Sequence, residues 1–318
     1  MKLLITGGFG YLGGRLAQFL APAGYEILLG TRRQSAPPFW LPQSKVVETR
    51  WDSSAALEHA CTGVDAVVHL AGMNAQDCAA NPVLAVEFNA CATARLVHAA
   101  VRQRVKRFLY VSTAHVYGSP LSGVITEETC PVSLHPYATS HRAGEDVVRA
   151  ASQRGEIEGI VARLSNTYGA PARKEVNCWT LLVNDLCRQA LTTQRMALHT
   201  SGMQRRDFIA LTDACRAIRQ LLEIPAAKLD NGLFNLGGRW SPTILEMTNR
   251  IAERIFVATG RRPGISRKAS QADKNQESLD YEISKLVKTG FALSGNDLVD
   301  QEIDGLIQFC LKHVAYLS

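Results

Sequence analysis

Short apolar runs recur along the chain and are separated by polar and glycine-rich segments. The first, Leu3-Leu4-Ile5, has the length and apolar character of a parallel strand that is buried on both faces of a sheet. Apolar residues at helical spacing follow at 15–20, so the chain begins with a strand, a glycine turn and a helix. Further runs predict a long helix from about Val83 to Arg104 and strands at 27–29, 46–48, 66–72, 107–112 and 160–164.

The first turn contains three glycines, Gly7, Gly10 and Gly13, spaced three residues apart. In a strand-turn-helix unit the first glycine makes the turn, the second lets backbone approach a diphosphate, and the third lets helix and strand pack closely. The N–H groups at the start of the helix attract negative charge. The pattern therefore favours a dinucleotide-binding turn over a purely structural one, and its predicted cofactor-binding residues are Gly7, Gly10, Tyr11, Leu12 and Gly13.

The end of the second predicted strand bears on which dinucleotide is bound. A carboxylate there would hydrogen-bond the adenosine ribose and repel a 2′-phosphate, whereas an arginine would pair with that phosphate. The chain has Thr31, Arg32 and Arg33 at this place, which favours NADP(H) and leaves NAD(H) possible. The alternative is that two exposed arginines merely end a strand. Asp52, after the third predicted strand, is placed to reach an adenine amine.

Composition excludes several classes of protein. A length of 318 residues suits one large or two coupled domains, and 46% hydrophobic with 20% charged residues is an ordinary globular balance. The net charge of +6 suits phosphorylated small molecules. No block of Lys and Arg is interleaved with aromatic residues, so a nucleic-acid partner is not expected.

The eight cysteines form no C-x-x-C pair and have no regular spacing with histidine. This argues against a zinc site and against a disulfide framework, and no other metal site is predicted. Cysteines in apolar contexts are typical of a reducing compartment, so we expect a cytoplasmic protein. No apolar stretch has the length of a membrane span, and no membrane partner is expected.

Several motifs together resemble one family. They are the glycine turn, His69-Leu70-Ala71-Gly72, Asn89, the segment 112–118 (STAHVYG), Pro136-Tyr137, the segment 163–169 (RLSNTYG), the segment 202–209 (GMQRRDFI) and the segment 234–238 (FNLGG). In this order and spacing they resemble the extended short-chain dehydrogenase/reductases, which are NAD(P)-dependent nucleotide-sugar epimerases and dehydratases. The resemblance spans most of the chain.

The resemblance implies an α/β fold, a Rossmann-type doubly wound parallel sheet with a smaller C-terminal substrate domain. The NAD(P)-binding domain would comprise 1–165 with a return segment at about 203–238, and the substrate-binding domain the remainder of 166–318. It also implies a homodimer that forms through the helices carrying Asn89 and Tyr137.

The resemblance further implies the catalytic roles. Tyr137 matches the general acid/base and Thr113 matches the residue that hydrogen-bonds the reacting oxygen. The family places a lysine four residues after the tyrosine, on the same helix face, where this chain has His141. A phenol with a pKa of about 10 needs a nearby cation to ionise near neutrality, and a histidine, with a pKa of about 6.5, is mostly neutral there. Arg142 lies about 100° further round the helix and is a poor substitute.

Other roles are also carried over by resemblance. The implied cofactor contacts are Leu70, Ala71, Gly72, Asn89, Val111, Ser112, Tyr137 and His141, and the implied substrate contacts are Thr113, Asn166 and Arg206. Arg206 matches the arginine that pairs with the substrate diphosphate, and Asp207 is expected to anchor its loop. A second diphosphate arginine is missing, because Ala272 stands near its place and Arg267 and Lys268 are the nearest cations. His69 is expected to be a core histidine and not a ligand.

These observations leave several functions open. The first hypothesis is an NAD(P)-dependent nucleotide-sugar epimerase or keto-sugar reductase that transfers a hydride at a hexose ring carbon, with His141 as a working replacement or as the cause of slower or altered chemistry. The second is a non-catalytic NADP(H)-binding sensor or scaffold of the same fold. A dehydratase is disfavoured, because Ala114-His115 stands where that class has an Asp-Glu pair.

Overall fold

The computed structural model describes residues 1–33, 35–268 and 278–317. The strands are β1 (Lys2–Thr6), β2 (Glu26–Thr31), β3 (Lys45–Glu48), β4 (Ala66–His69), β5 (Arg107–Thr113), β6 (Gly123–Ile125), β7 (Glu158–Leu164), β8 (Asn166–Tyr168), β9 (Arg195–Leu198), β10 (Phe208–Ala210), β11 (Leu233–Leu236), β12 (Gly264–Arg267) and β13 (Leu279–Tyr281).

The helices alternate with the strands over the first two thirds of the chain. They are α1 (Tyr11–Leu20), α2 (Ser54–Cys61), α3 (Ala75–Ala80), α4 (Pro82–Val86), α5 (Ala92–Arg102), α6 (Pro136–Gln153), α7 (Leu182–Thr193), α8 (Leu211–Glu223), α9 (Ile244–Thr259), α10 (Ser284–Lys288), α11 (Asn296–Lys312) and α12 (Val314–Leu317). A single π-helical turn, Glu87–Cys91, connects α4 to α5.

The central sheet has the strand order β11-β7-β5-β4-β1-β2-β3, and every pairing in it is parallel. The order reverses at β1, which places β4 on one side of it and β2 on the other. Ligands bind in folds of this kind outside the carboxyl ends of the strands, at the point where the order reverses. The sheet confirms the predicted Rossmann-type fold, and the glycine turn follows β1 at this point.

Both faces of the sheet are covered, which explains why its strands are apolar throughout. Leu3 and Ile5 face a cluster that includes Leu16 of α1 and Ile218 of α8. Leu4, between them in sequence, faces the opposite cluster with residues of α2, α5 and α6. Alternate residues of β1 therefore pack on opposite layers of helices.

A second core forms around α7, α9 and α11, with β8, β9 and β10 at its edge. The Arg15 guanidinium on α1 lies 3.0 Å from Glu302 on α11, and this buried carboxylate also accepts a hydrogen bond from Thr212 (2.6 Å). α8 and β11, which lie within 203–238, pack on the central sheet. The boundaries 1–165 and 166–318 stay a prediction.

Two elements differ from the sequence-based expectation. The strand predicted at 66–72 ends at His69, and the following residues form the loop that borders the glycine turn. The long helix predicted from Val83 to Arg104 is interrupted by the π-helical turn around Asn89. The Thr93 hydroxyl donates to the Asn89 carbonyl oxygen (2.7 Å) inside this segment, and hydroxyl bonds of this kind compete with regular helix bonds. Within the described ranges, no helix has both the length and the apolar character needed to cross a membrane.

Candidate functional site

The glycine turn has no room for side chains. Gly7 has a φ of +66°, a conformation that glycine adopts without strain. A Cβ on Gly13 would lie 2.3 Å from the Gly7 carbonyl oxygen, and a Cβ on Gly10 would lie 3.0 Å from it. Gly10 precedes α1 and provides no side-chain cap, and the first turn of α1 contains no acidic residue. The N–H groups at the start of α1 are therefore available to an anion, as a dinucleotide diphosphate requires.

A segment distant in sequence, residues 169–173, covers the glycine turn. This segment was not assigned to the cofactor site from the sequence. The Tyr11 hydroxyl donates to the Gly169 carbonyl oxygen (3.0 Å), and Arg15 donates to the carbonyl oxygen of Ala170 (2.7 Å). The Arg173 guanidinium lies over the Phe9 ring at 5.5 Å and donates to the Phe9 carbonyl oxygen (3.3 Å). Leu12 packs against the sheet core. The Tyr11 hydroxyl is thus engaged with the protein itself.

The predicted adenosine side is exposed. Thr31 is the last residue of β2, and Arg32 and Arg33 lie on the surface with guanidinium groups that pair with no residue the structure describes. Asp52 is also exposed, next to Ser53, whose hydroxyl caps α2. The roles of these residues in cofactor choice stay predictions.

His69 is a core residue whose hydrogen bonds are all provided by the protein. Its Nδ1 lies 2.6 Å from the Thr6 hydroxyl, and its Nε2 lies 2.9 Å from the Thr93 hydroxyl. Because Thr93 donates its own proton to Asn89, it accepts from Nε2–H, which leaves Nδ1 as the acceptor from Thr6. Burial lowers the pKa of His69 to about 3, so the ring is neutral. The expectation of a core histidine is confirmed.

Tyr137 lies in the first turn of α6 and faces the end of β5. The His135 Nδ1 accepts the Tyr137 N–H (3.2 Å) and so caps the helix. Burial raises the pKa of Tyr137, and the nearby Thr113 hydroxyl offsets this only in part. Tyr137 and Thr113 are therefore brought together, with the phenol protonated at neutral pH. The contact of Thr113 with the reacting oxygen, which the resemblance implied, stays a prediction.

His141 lies one turn further along α6, and its ring centroid is 4.6 Å from that of Tyr137, with the two rings nearly perpendicular. Its Nδ1 lies 2.8 Å from the Tyr110 hydroxyl. Burial lowers the pKa of His141 to about 4, so the imidazole is neutral at pH 7. The positive charge that a lysine would place beside the phenol is missing.

Asn89 links the elements of the site. Its Oδ1 accepts the Met73 N–H (2.9 Å), and its Nδ2 donates to the Ser140 hydroxyl (3.0 Å) on α6. The N–H groups of Leu70 and Ala71 point to the Thr6 hydroxyl at 3.2 and 3.4 Å. Through its bonds to Met73 and Ser140, the Asn89 side chain orients both the loop after β4 and the helix that carries Tyr137.

Ser112 also bonds to protein. Its hydroxyl donates to Glu145 (2.5 Å), and Glu145 forms a buried ion pair with Arg163, whose Nη2 lies 2.6 Å from the carboxylate. Val111 is half-buried beside the sheet core. The structure assigns the Ser112 side chain to the support of α6, whereas its predicted cofactor contact stays a prediction.

The predicted substrate residues meet in one cleft. Asn166, Arg206 and His115 line a cavity of about 240 Å³ together with Leu121 and Leu279. Arg206 is an exposed residue, although burial lowers the pKa of its guanidinium, which makes no hydrogen bond or ion pair with any residue that the structure describes. It is therefore available to an anionic ligand in the cavity.

Asp207 anchors the loop beside this cavity, as expected. It is fully buried and accepts hydrogen bonds from the Ser165 hydroxyl (2.5 Å) and the Gly238 N–H (2.9 Å). Burial raises its pKa to about 6. Arg267 donates to the Ser201 carbonyl oxygen (3.2 Å) and Lys268 is exposed, whereas Ala272 lies outside the described residues.

Tyr110 and Glu145 were missed in the sequence analysis, although two simple periods place them beside residues that it named. Tyr110 and Ser112 point to the same face of β5, because strand side chains alternate. Tyr137, His141 and Glu145 share one face of α6, because residues four apart on a helix are neighbours. The two rows pair as Tyr110 with His141 and Ser112 with Glu145. Among the residues that the structure describes, no cluster of potential metal ligands occurs.

Known proteins resemble this chain in sequence and in fold. A family profile described as "NAD dependent epimerase/dehydratase family" matches residues 3–237. The chain is 27% identical over 274 residues to a dTDP-glucose 4,6-dehydratase of Streptomyces niveus, a match that covers 82% of this chain and 78% of the relative. It is 25% identical over 277 residues to an uncharacterised UDP-glucose epimerase of Bacillus subtilis, with 80% and 82% covered.

The fold is similar to a solved structure of UDP-glucuronic acid 4-epimerase from Bacillus cereus in complex with UDP-glucuronic acid and NAD. The TM-score is 0.79 at 20% identity, and the match covers 100% of both chains.

Proposed function

The chain belongs to the NAD-dependent epimerase/dehydratase family, and from that premise we propose that it is a nicotinamide-dependent enzyme acting on a nucleotide-linked hexose by hydride transfer at a ring carbon. The site fits such a cofactor. A side chain at Gly7, Gly10 or Gly13 would fill the turn in which we propose that the diphosphate binds. The N–H groups in the first turn of α1 have no side-chain cap. When bound, a reduced nicotinamide supplies the hydride.

The neutral His141 beside a protonated Tyr137 supports reduction of a keto-sugar. A phenol that keeps its proton at neutral pH is a general acid, and it donates that proton to the carbonyl oxygen as the carbon is reduced to an alcohol. We assign to the Thr113 hydroxyl, which lowers the pKa of this phenol, the role of holding the same oxygen. Oxidation of a sugar alcohol would instead need the phenolate, which no cation stabilises at this position among the described residues.

The substrate proposal rests on Arg206. This residue is exposed, and its guanidinium lines the same cavity as Asn166 and has no partner among the described residues. A planar guanidinium pairs well with two oxygens of a phosphate group. We assign Arg206 to the diphosphate of the nucleotide sugar and Asn166 to its neighbouring oxygens.

The cofactor proposal is NADP(H), supported by the unpaired Arg32 and Arg33 at the end of β2. The solved structure from Bacillus cereus contains NAD and supports NAD(H). Titration of nicotinamide fluorescence with NADPH and with NADH separates the two. We expect tighter binding of NADPH than of NADH, and loss of this difference in Arg32→Ala/Arg33→Ala. Equal affinities in the native protein would contradict the preference, and tighter binding of NADH would reverse it.

An epimerase is the second candidate, supported by the relative from Bacillus subtilis that is named as a UDP-glucose epimerase. A dehydratase is less well supported despite the relative from Streptomyces niveus, because Ala114 is buried and His115 is the neighbouring residue where an Asp-Glu pair would stand.

The deciding experiment follows the absorbance of the reduced nicotinamide after addition of nucleotide-linked 4-keto-sugars. Loss of absorbance that depends on the keto-sugar, and that Tyr137→Phe abolishes, is expected for a reductase. Constant absorbance with interconversion of UDP-hexoses by product analysis would make the protein an epimerase. Cofactor binding without either reaction would favour the sensor or scaffold hypothesis.

A homodimer is proposed from the surface near the same helices. Val83 on α4 is 70% exposed and Leu134, before α6, is 90% exposed, and Leu84, Val86 and Val132 are exposed nearby in sequence. These apolar side chains lie next to the turn with Asn89 and to the start of the helix with Tyr137. Sedimentation equilibrium at micromolar concentration should give twice the monomer mass, and Val83→Lys should give the monomer.

A further inference from the structure

The two ring nitrogens of His141 have different surroundings. Nδ1 is held by the Tyr110 hydroxyl at 2.8 Å. Nε2 makes no hydrogen bond with any residue in the described ranges, and it faces Gly72, where a Cβ would lie 3.6 Å from Nε2 and 3.4 Å from the adjacent ring carbon. A side chain at position 72 would cover this edge of the imidazole. The glycine leaves it uncovered, although the residue as a whole is only 6% exposed.

Tyr110 is itself held rigidly. It is buried in β5, and its ring stacks between the rings of His69 (5.5 Å) and His141 (5.8 Å) at angles of 28° and 24°. A Cβ on Gly144 would lie 2.8 Å from the Tyr110 hydroxyl, so glycine at this position lets α6 approach β5. Glycine inside a helix is less stable than alanine, so the close approach of the two elements is a specific feature of this helix.

The proton count fixes the tautomer. A neutral imidazole has one N–H donor and one acceptor nitrogen. The phenol is the more acidic of the two groups and donates to Nδ1, so the imidazole proton is on Nε2. The open edge of His141 is therefore a neutral hydrogen-bond donor.

We infer that Tyr110 is a positioning residue, whose hydroxyl orients His141 so that Nε2–H points past Gly72 and donates to a ribose hydroxyl of the bound dinucleotide. The inference rests on the proposed function. A lysine at this position would hold the ribose and would also place a positive charge beside Tyr137. In this inference His141 holds the ribose and adds no charge.

The first test measures the tautomer without any cofactor. Long-range proton–nitrogen NMR spectra of the ¹⁵N-labelled protein, with His141→Gln to assign the signals, should show Nε2 protonated and Nδ1 as an acceptor at pH 7. In Tyr110→Phe the signals should move toward a mixture of both tautomers. An unchanged spectrum in Tyr110→Phe would overturn the inference.

The second test measures dinucleotide affinity by fluorescence titration. Tyr110→Phe removes one hydroxyl and should weaken binding about tenfold, the effect of one well-oriented hydrogen bond. Tyr117→Phe is the matched control, because it removes another buried tyrosine hydroxyl, which bonds to Asn235 at 2.7 Å and not to His141. The affinity of the Tyr117→Phe protein for the dinucleotide should differ from that of the native protein by less than twofold.

A structural effect is separated by a double-mutant cycle. In the His141→Lys background, a flexible ammonium reaches the ribose without help from the phenol, so Tyr110→Phe should change affinity less than twofold. An equal loss in both backgrounds would show that Tyr110 acts on the fold and would overturn the inference. Wild-type protein that binds no dinucleotide would instead refute the proposed function, while the NMR result still reports on the tautomer.

Discussion

At the scale of single residues, the pairing of Tyr137 with a neutral His141 sets the acid-base chemistry of the site. Burial raises the pKa of Tyr137 and lowers that of His141 to about 4, so no charge near the phenol opposes its protonation. Replacing His141 by lysine places an ammonium beside the phenol, and an opposite charge within a few ångströms favours the ionised form. We expect the pKa of Tyr137 to fall by at least about one unit, equivalent to about 1.4 kcal/mol.

Ultraviolet difference titration of the phenol, with Tyr137→Phe as the blank, measures this shift. The rising, acidic limb of the pH–rate profile for sugar oxidation, which reports ionisation of the phenol, should move to lower pH by the same amount. His141→Gln is the matched control, because glutamine is neutral like the native imidazole and should leave the pKa of Tyr137 in place. A shift in the glutamine variant equal to that in the lysine variant would contradict the electrostatic explanation.

Gly13 gives a second prediction at this scale. A Cβ there would lie 2.3 Å from the Gly7 carbonyl oxygen, so Gly13→Ala must push the start of α1 away from the turn. We expect a loss of about 1–3 kcal/mol in the free energy of unfolding, together with weaker dinucleotide binding. Gly305→Ala in α11 meets no atom within 4 Å and should stabilise the protein by about 1 kcal/mol. Urea unfolding measures both, and a neutral Gly13→Ala would refute the predicted close contact.

At the scale of elements, α6 is fixed to the sheet by a buried ion pair. Glu145 and Arg163 on β7 have side chains that are 1% and 3% exposed, and Ser112 on β5 donates to the same carboxylate. Removing one partner of such a pair leaves a buried charge without compensation. Glu145→Gln should therefore lower the free energy of unfolding by about 3–5 kcal/mol in urea titrations.

The exposed pair of Arg154 and Glu156, just beyond the end of the same helix, provides the control. Glu156→Gln should change the stability little, since exposed pairs contribute little. If the two variants are equally stable, the pair of Glu145 and Arg163 does not hold α6 in place.

The elements also show which features a sequence can predict. The glycine turn and the buried strands depend on local spacing and residue type, and both are present as expected. The π-helical turn contains a bond from the Thr93 hydroxyl to the Asn89 carbonyl oxygen, and helical periodicity indicates neither the turn nor this bond. The contact between Tyr110 and His141 depends on how closely α6 packs on β5, so it needs the tertiary structure. For this reason the sequence identified His141 as unusual and did not identify its partner.

At the scale of the whole molecule, three buried groups couple stability to pH. His69 and His141 have pKa values lowered by burial to about 3 and about 4, so between pH 4.5 and 6 the unfolded chain binds two protons that the native protein does not. Asp207 acts in the opposite direction, because burial raises its pKa to about 6 and the native protein holds a proton that the unfolded chain releases.

For these three groups the net difference is one proton in favour of the unfolded chain, and His115, whose pKa burial also lowers, acts in the same direction. Stability should therefore fall by at least about 1.4 kcal/mol for each pH unit of acidification in this window. Urea unfolding at pH 6 and pH 5 measures the slope. His69→Gln removes one proton that is taken up on unfolding and should lower the slope by about 1.4 kcal/mol per pH unit, whereas Asp207→Asn removes the proton that is released on unfolding and should raise the slope by about the same amount. His98→Gln changes an exposed histidine and should preserve the native slope. A His69→Gln protein that keeps the full slope would show that acid sensitivity arises elsewhere than in these buried rings.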